Sequence, residues 1–207
     1  MNRIAIFGGT FNPIHNGHLH IAQQFQKQLR AQRVLFIPTF VPPHKRAPDL
    51  APAEDRLEMC RLACEGTPFE VSDLEIRRGG PSYTAPDVRT EVETALMQTI
   101  RREYPDAELC FLTGEDMFLT LETWYKPDVI YSLATICAAP RSTDGLEKLR
   151  AYAEKLARHG AKVILQNIDY LPVSSTMVRE AVRQNRAIDA LVPAEVARYI
   201  RENGLYH

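Results

Sequence analysis

Ile4-Ala5-Ile6-Phe7-Gly8-Gly9-Thr10-Phe11-Asn12-Pro13-Ile14-His15-Asn16-Gly17-His18 is the stretch whose reading decides the fold. Its first four residues form a short apolar run, the signature of a buried strand. Apolar residues then recur at helical spacing, at Leu19, Ala22, Phe25 and Leu29, so the segment reads as strand, glycine-rich loop, helix. His15 and His18 fall at the loop-to-helix junction, where backbone N–H groups and the positive end of the helix dipole face whatever binds there. Paired glycines let the main chain approach an anion closely, and histidines three residues apart project from one turn. The segment therefore reads as a phosphate site with two imidazoles built in. Its spacing matches neither the dinucleotide fingerprint nor the Walker loop, because His-Asn-Gly-His stands where those place glycines or Gly-Lys-Ser/Thr.

Outward from this unit, strand-like runs at 3–7, 34–38, 109–113, 134–138 and 162–166 alternate with helical patterns at 17–30, 54–65, 87–103, 146–158, 175–184 and 193–202. A further strand is expected at 69–76. Alternation of this kind implies an α/β fold, a Rossmann-like doubly wound parallel sheet with helices on both faces. Ligands in such sheets bind beyond the carboxyl ends of the strands, where the strand order reverses. The segments carrying chemistry fall there: 8–18 after the first strand, 39–45 after the second, 114–116 after the strand ending near Thr113, and 174–179 after the last. The proline-rich stretch 38–52 lacks periodicity and is the best candidate for a mobile loop.

With 207 residues, 45% hydrophobic and 25% charged, the chain suits one sizeable core and a single domain over 1–207, including the short C-terminal helical segment. A net charge of −1 supplies no long-range field for nucleic acid or an anionic membrane, so phosphate binding must come from a few local residues, which argues for a small ligand. No transmembrane helix or secretory signal is legible, and a cytoplasmic protein is expected. Cys60 and Cys64 lie one helical turn apart, Cys110 and Cys137 lie in strand-like runs, and all four read as reduced core thiols.

Two other segments carry candidate chemistry. Ser174-Ser175-Thr176 can cap a helix, and Arg179 follows within about one turn. A cation is unfavourable at a helix N-terminus, so an arginine there suggests a bound anion, although Glu180 offers it an alternative partner. Lys45 is either a flexible point charge that closes onto phosphate or a solvated side chain. His44 divides between phosphate contact and surface loop, and His20 reads as a solvated helix residue. Two histidines without paired cysteines are too few ligands for closed zinc coordination, so no resident metal site is expected. Trp124, the only tryptophan, is in isolation a packing residue.

The run Gly8-Gly9-Thr10-Phe11-Asn12-Pro13-Ile14-His15-Asn16-Gly17-His18 resembles the signature of the adenylyl- and cytidylyltransferase superfamily. Within it, Val41-Pro42-Pro43-His44-Lys45, Gly80-Pro81-Ser82-Tyr83-Thr84, Gly114-Glu115-Asp116, Trp124-Tyr125, Val173-Ser174-Ser175-Thr176-Met177-Val178-Arg179 and the closing Tyr199-Ile200 to Gly204-Leu205-Tyr206 are similar to the bacterial nicotinate mononucleotide adenylyltransferases. The resemblance covers essentially the whole chain. It implies transfer of the adenylyl group of Mg²⁺-bound ATP to nicotinate mononucleotide, forming deamido-NAD and pyrophosphate. By the same resemblance His15, His18, Lys45 and Arg179 carry the chemistry. ATP is met by Gly8, Gly9, Thr10, Phe11, Gly17, Gly114, Asp116, Ser174, Ser175 and Thr176. Nicotinate mononucleotide is met by Thr10, Tyr83, Thr84, Asp116, Trp124 and Tyr125, with Trp124 stacked on the pyridine and the main-chain amides of Thr84 and Tyr125 on its carboxylate.

The chain departs from that pattern in places. Ala85-Pro86-Asp87 replaces the usual continuation after Thr84, Asn12 stands where relatives often have Asp but can make the same turn-stabilising bonds, and Glu115 replaces a smaller residue and is expected to point outward while Asp116 faces the nucleotides. Rival readings are a same-fold enzyme using nicotinamide mononucleotide or phosphopantetheine, and a non-catalytic nucleotide sensor. A homo-oligomer is compatible with the sequence, which does not decide it.

Overall fold

Successive residues of the first strand, β1 (Arg3–Gly9), enter two different cores: Ile4 and Ile6 face one side of the sheet, Ala5 and Phe7 the other. The same division runs through β2 (Arg33–Pro38), where Leu35 and Ile37 oppose Val34 and Phe36, and through β4 (Glu108–Gly114), where Leu109 and Phe111 oppose Cys110 and Leu112. A strand buried on both faces must be apolar at nearly every position, which is why these strands read as continuous hydrophobic runs. The computed structural model describes residues 2–40, 49–78, 89–124, 126–140 and 145–207, and only the backbone of 78 and 89–94.

Among the described residues, β1, β2, β3 (Phe69–Val71), β4, β5 (Thr135–Ala139) and β6 (Val163–Leu165) form one wholly parallel sheet in the order β3-β2-β1-β4-β5-β6. The order reverses between β1 and β4, and a crevice opens at their carboxyl ends. This is the Rossmann-like doubly wound fold. One face is covered by α1 (Asn16–Leu29), α2 (Ala53–Cys64), α8 (Ser175–Arg183) and α9 (Ala194–Glu202), most of whose buried apolar residues join a single cluster. The opposite face is covered by α4 (Arg89–Glu103), α6 (Pro127–Leu133) and α7 (Gly145–Arg158).

Several elements depart from the sequence expectation. The strand expected over 69–76 stops at Val71, because Ser72 and Asp73 turn the chain into a short helix, α3 (Leu74–Arg78): the Leu74 N–H donates to Ser72 Oγ and the Arg77 N–H to the Asp73 carbonyl. Between β4 and β5 the chain forms α5 (Glu115–Phe118), a 3-10 turn (Leu121–Thr123) and α6, all too short for periodicity to reveal. The start of the helix expected over 87–103 and most of the loop expected over 38–52 lie outside the described residues. All four cysteines are free and buried, and burial pushes the thiols of Cys60 and Cys64 up, that of Cys64 to about 12. Among the described residues no helix is long and apolar enough to cross a membrane.

Candidate active site

The loop after β1 carries its two histidines on the first turn of α1. His15 occupies the position before the helix, in extended backbone, and its N–H donates to His18 Nδ1 at 3.2 Å. A nitrogen that accepts carries no proton, so a neutral His18 in this arrangement bears its proton on Nε2. The two rings stack at 3.6 Å. Phe11 meets the His18 ring edge-on at 5.0 Å and Phe7 at 6.0 Å, which restricts its rotamer.

Gly17 makes the stack feasible. A Cβ there would sit 3.0 Å from His15 Nδ1 and 3.2 Å from the Val173 carbonyl, so a larger residue would press the ring and that carbonyl back by a few tenths of an ångström. Gly9 has a similar reason: its Cβ would strike the Phe11 ring at 2.9 Å, whereas a Cβ at Gly8 meets nothing. His15 is buried to 6% exposure, and burial lowers its pKa to about 4. It acts as a neutral ring near pH 7.

The second element of the site is α8. Ser174 caps it, Oγ accepting from the Met177 N–H, and Ser175 Oγ donates to the Pro13 carbonyl at 2.9 Å. Arg179 donates from Nη1 to the Asn12 carbonyl at 2.8 Å and from Nη2 to Thr176 Oγ1 at 3.3 Å, while its buried Nε has no partner among the described residues. Among the described residues it forms no ion pair with Glu180, which is exposed. Serine and arginine thus pin the first turn of α8 to the histidine loop.

Between these elements and the carboxyl end of β4 lies a cleft of about 480 Å³. Gly8, Gly9, Thr10, Phe11, His15, Gly17, His18, Gly114, Asp116, Ser174, Ser175, Thr176 and Arg179 all line it, bringing together residues as far apart as 8 and 179. Glu115 departs from expectation: it lines the cleft half-buried, with its carboxylate 3.0 Å from where a Cβ on Gly145 would lie. The missing side chain at the start of α7 gives it that room.

Trp124 is not brought into the cleft. It is 7% exposed in the second core, meets Phe111 edge-on at 6.1 Å and donates its indole N–H to Thr120 Oγ1. Lys45, His44, Tyr83, Thr84 and Tyr125 lie outside the described residues. His20, expected to be solvated, is half-buried, with Nε2 at 2.6 Å from the Asp169 carbonyl.

The Cytidylyltransferase-like family matches residues 6–181. A probable nicotinate-nucleotide adenylyltransferase of Thermomicrobium roseum is 39% identical across 100% of this chain and 92% of its own length. The one from Neisseria meningitidis serogroup B is 40% identical, across 100% and 99%. The chain belongs to the nicotinate-nucleotide adenylyltransferase family. The solved structure of Plasmodium falciparum nicotinic acid mononucleotide adenylyltransferase complexed with NaAD shares the fold, with a TM-score of 0.73 at 18% identity over 100% of this chain and 98% of that one.

Within this adenylyltransferase fold, three residues support the cleft that pattern reading passed over or misjudged. Asn12, expected to brace its own turn, reaches further: Nδ2 donates to the Asp49 carbonyl, and Oδ1 accepts from the Ala51 N–H and the Tyr206 hydroxyl. Arg56 donates to the carbonyls of Ala51, Thr10 and Phe40 at 3.1, 2.7 and 2.8 Å. Tyr206 is buried one residue from the chain end. A signal for Arg56 did exist, since it lies on the buried stripe of α2 with Ala53, Leu57, Cys60 and Cys64, where a charge is out of place.

Proposed function

We propose that this protein catalyses attack of the phosphate of nicotinate mononucleotide on the α-phosphorus of ATP, forming deamido-NAD and releasing pyrophosphate. One P–O bond forms and the bond to the β-phosphate's bridging oxygen breaks. The observation that carries this reading is the stacked His15–His18 pair facing Arg179 across a cleft at the sheet's switch point, in a chain of this family. The nucleophile needs no protein base, because the second pKa of a phosphate monoester is ~6. What the protein must supply is alignment of two anions and stabilisation of charge on the α-phosphate and leaving group.

His18 supplies a donor from Nε2, and burial keeps the His15 ring neutral near pH 7, so His15 brings no full positive charge to the cleft. Charge neutralisation falls to Arg179, to the α1 and α8 N-termini and to Lys45 as the expected partner of the departing pyrophosphate. Magnesium accompanies ATP, held mainly by phosphate and water, and supplies further neutralisation of the triphosphate. The cleft carboxylates fit that auxiliary role: Asp116 and Glu115 line it, but among the described residues no three His, Cys, Asp or Glu side chains gather into a protein-only metal site.

Selectivity for the acid substrate is assigned to main-chain amides at Thr84 and Tyr125, since an N–H suits a carboxylate and not a carboxamide NH₂. The whole chain, 1–207, is taken as one catalytic domain acting in the cytoplasm on small molecules. Pyrophosphate release should be measured with ATP and, in turn, nicotinate mononucleotide, nicotinamide mononucleotide and phosphopantetheine. Turnover is expected with the first in clear preference to the others. Release with phosphopantetheine alone, or none with any acceptor, would replace this reading by the pantetheine enzyme or the nucleotide sensor.

A further inference from the structure

Among the described residues Arg56 is the largest fully buried side chain, at 1% exposure, and no carboxylate forms an ion pair with it. Glu54 and Glu75 favour its charge only through space, while burial opposes it. A buried cation without a counter-ion is costly, and a fold is expected to replace it by an apolar residue unless the charge has a use. Here the guanidinium fork gathers carbonyls from three separate segments: Thr10 on the histidine loop, Phe40 after β2, and Ala51 before α2. The Ala51 peptide is held from its other side as well, its N–H on Asn12 Oδ1.

The bond to Thr10 has a consequence for the next amide. In a trans peptide the C=O and the following N–H point in opposite directions, so anchoring the Thr10 carbonyl on Arg56 turns the Phe11 N–H away from Arg56. Among the described residues that N–H makes no hydrogen bond, and Thr10 and Phe11 both line the cleft. Phe11 also holds a positive φ of 46°, a conformation unfavourable for a phenylalanine unless its surroundings impose it.

We propose that Arg56 is a positioning residue for adenylyl transfer: it fixes the Thr10–Phe11 peptide so that the Phe11 N–H serves as a phosphate donor, and sets an uncompensated positive charge behind that peptide. This role rests on the reaction proposed above. Lysine could carry the charge but not bridge three carbonyls, and glutamine could donate to carbonyls without the charge. The two functions are therefore separable.

Arg56→Gln and Arg56→Lys should be compared with the intact enzyme by calorimetric binding of inorganic pyrophosphate, by kcat and KM for ATP, and by melting temperature. Arg56→Gln is expected to weaken pyrophosphate and raise the KM for ATP by about tenfold or more. Arg56→Lys should recover most of the pyrophosphate affinity while its kcat stays about tenfold or more below the intact enzyme, because the peptide is no longer held. Variants that lose only melting temperature, keeping pyrophosphate affinity and kinetics, would overturn the proposal, as would failure of both to fold, which would make Arg56 a folding residue. If the intact enzyme releases no pyrophosphate from ATP and nicotinate mononucleotide, the reaction falls, and pyrophosphate binding by the variants still judges Arg56.

Discussion

His15 and His18 stack 3.6 Å apart, yet burial separates their chemistry. His18 is half-buried, and its Nδ1 is occupied by the His15 N–H, which leaves Nε2–H as its donor. A donor acting on charge that develops during reaction is worth roughly 10²-fold or more, so His18→Ala should lower kcat by that amount with little change in melting temperature. Turnover near the intact level would remove His18 from the mechanism. For His15 the consequence is one of stability. Its folded pKa of about 4 lies below the unfolded value of 6.5, so between these values the unfolded chain binds more protons. The stability of neutral, buried His15 is fully present above the unfolded value and is lost as pH falls towards the folded one. Between pH 7 and pH 5 this amounts to about 2 kcal/mol. Denaturant melts over that range should show the intact protein losing more stability than His15→Gln, and parallel losses in the two would contradict it.

At the scale of elements, the N-terminus of α8 is docked on the histidine loop by Ser175 and Arg179, so this helix holds half of the site in register with α1. Arg179→Ala should raise the KM for ATP by about tenfold or more and lower kcat, because a charge-assisted contact to phosphate and the bond to the Asn12 carbonyl go together. Arg179→Lys should recover only part, a fork having become a point charge. Unchanged kinetics in both would reduce α8 to an ordinary capped helix. The segment between β4 and β5 behaves differently. Its 3-10 turn delivers Trp124 into the second core against Phe111, where the indole is 7% exposed. Trp124→Ala should therefore destabilise the protein by about 3 kcal/mol or more, read as a fall in melting temperature. A variant that melts with the intact protein while its KM for nicotinate mononucleotide rises would instead place the indole on the pyridine during turnover.

Across the whole molecule, the C-terminal segment closes back on the loop after β1. The Tyr206 hydroxyl donates to Asn12 Oδ1, a bond spanning 194 positions of sequence, and the Tyr199 hydroxyl donates to Asp55 on α2. Asn12 in turn offers its own carbonyl to Arg179. Removing Tyr206 and His207 should lower kcat as well as stability, because it loosens Asn12 and with it the Arg179 contact. Tyr206→Phe keeps the ring and loses only the hydroxyl bond, so it should cost about 1 kcal/mol. A truncated protein with undiminished kcat would show that the closing segment only adds stability.

Local sequence was sufficient for the parallel sheet, for the strand–loop–helix unit around His15 and His18, and for the cap of α8 ahead of Arg179. In each case the signal lies within about a dozen consecutive residues: apolar runs for strands buried on both faces, helical spacing for α1, and serine before a helix start. The short helices α3, α5 and α6 escaped because a turn or two carries no usable period. Arg56, Asn12 and Tyr206 owe their roles to partners up to 194 positions away, and Trp124 owes its burial to β4 and the turn beside it. Burial and long-range hydrogen bonds belong to the packed neighbourhood of a residue and not to its place in the chain, so only the tertiary structure could decide them.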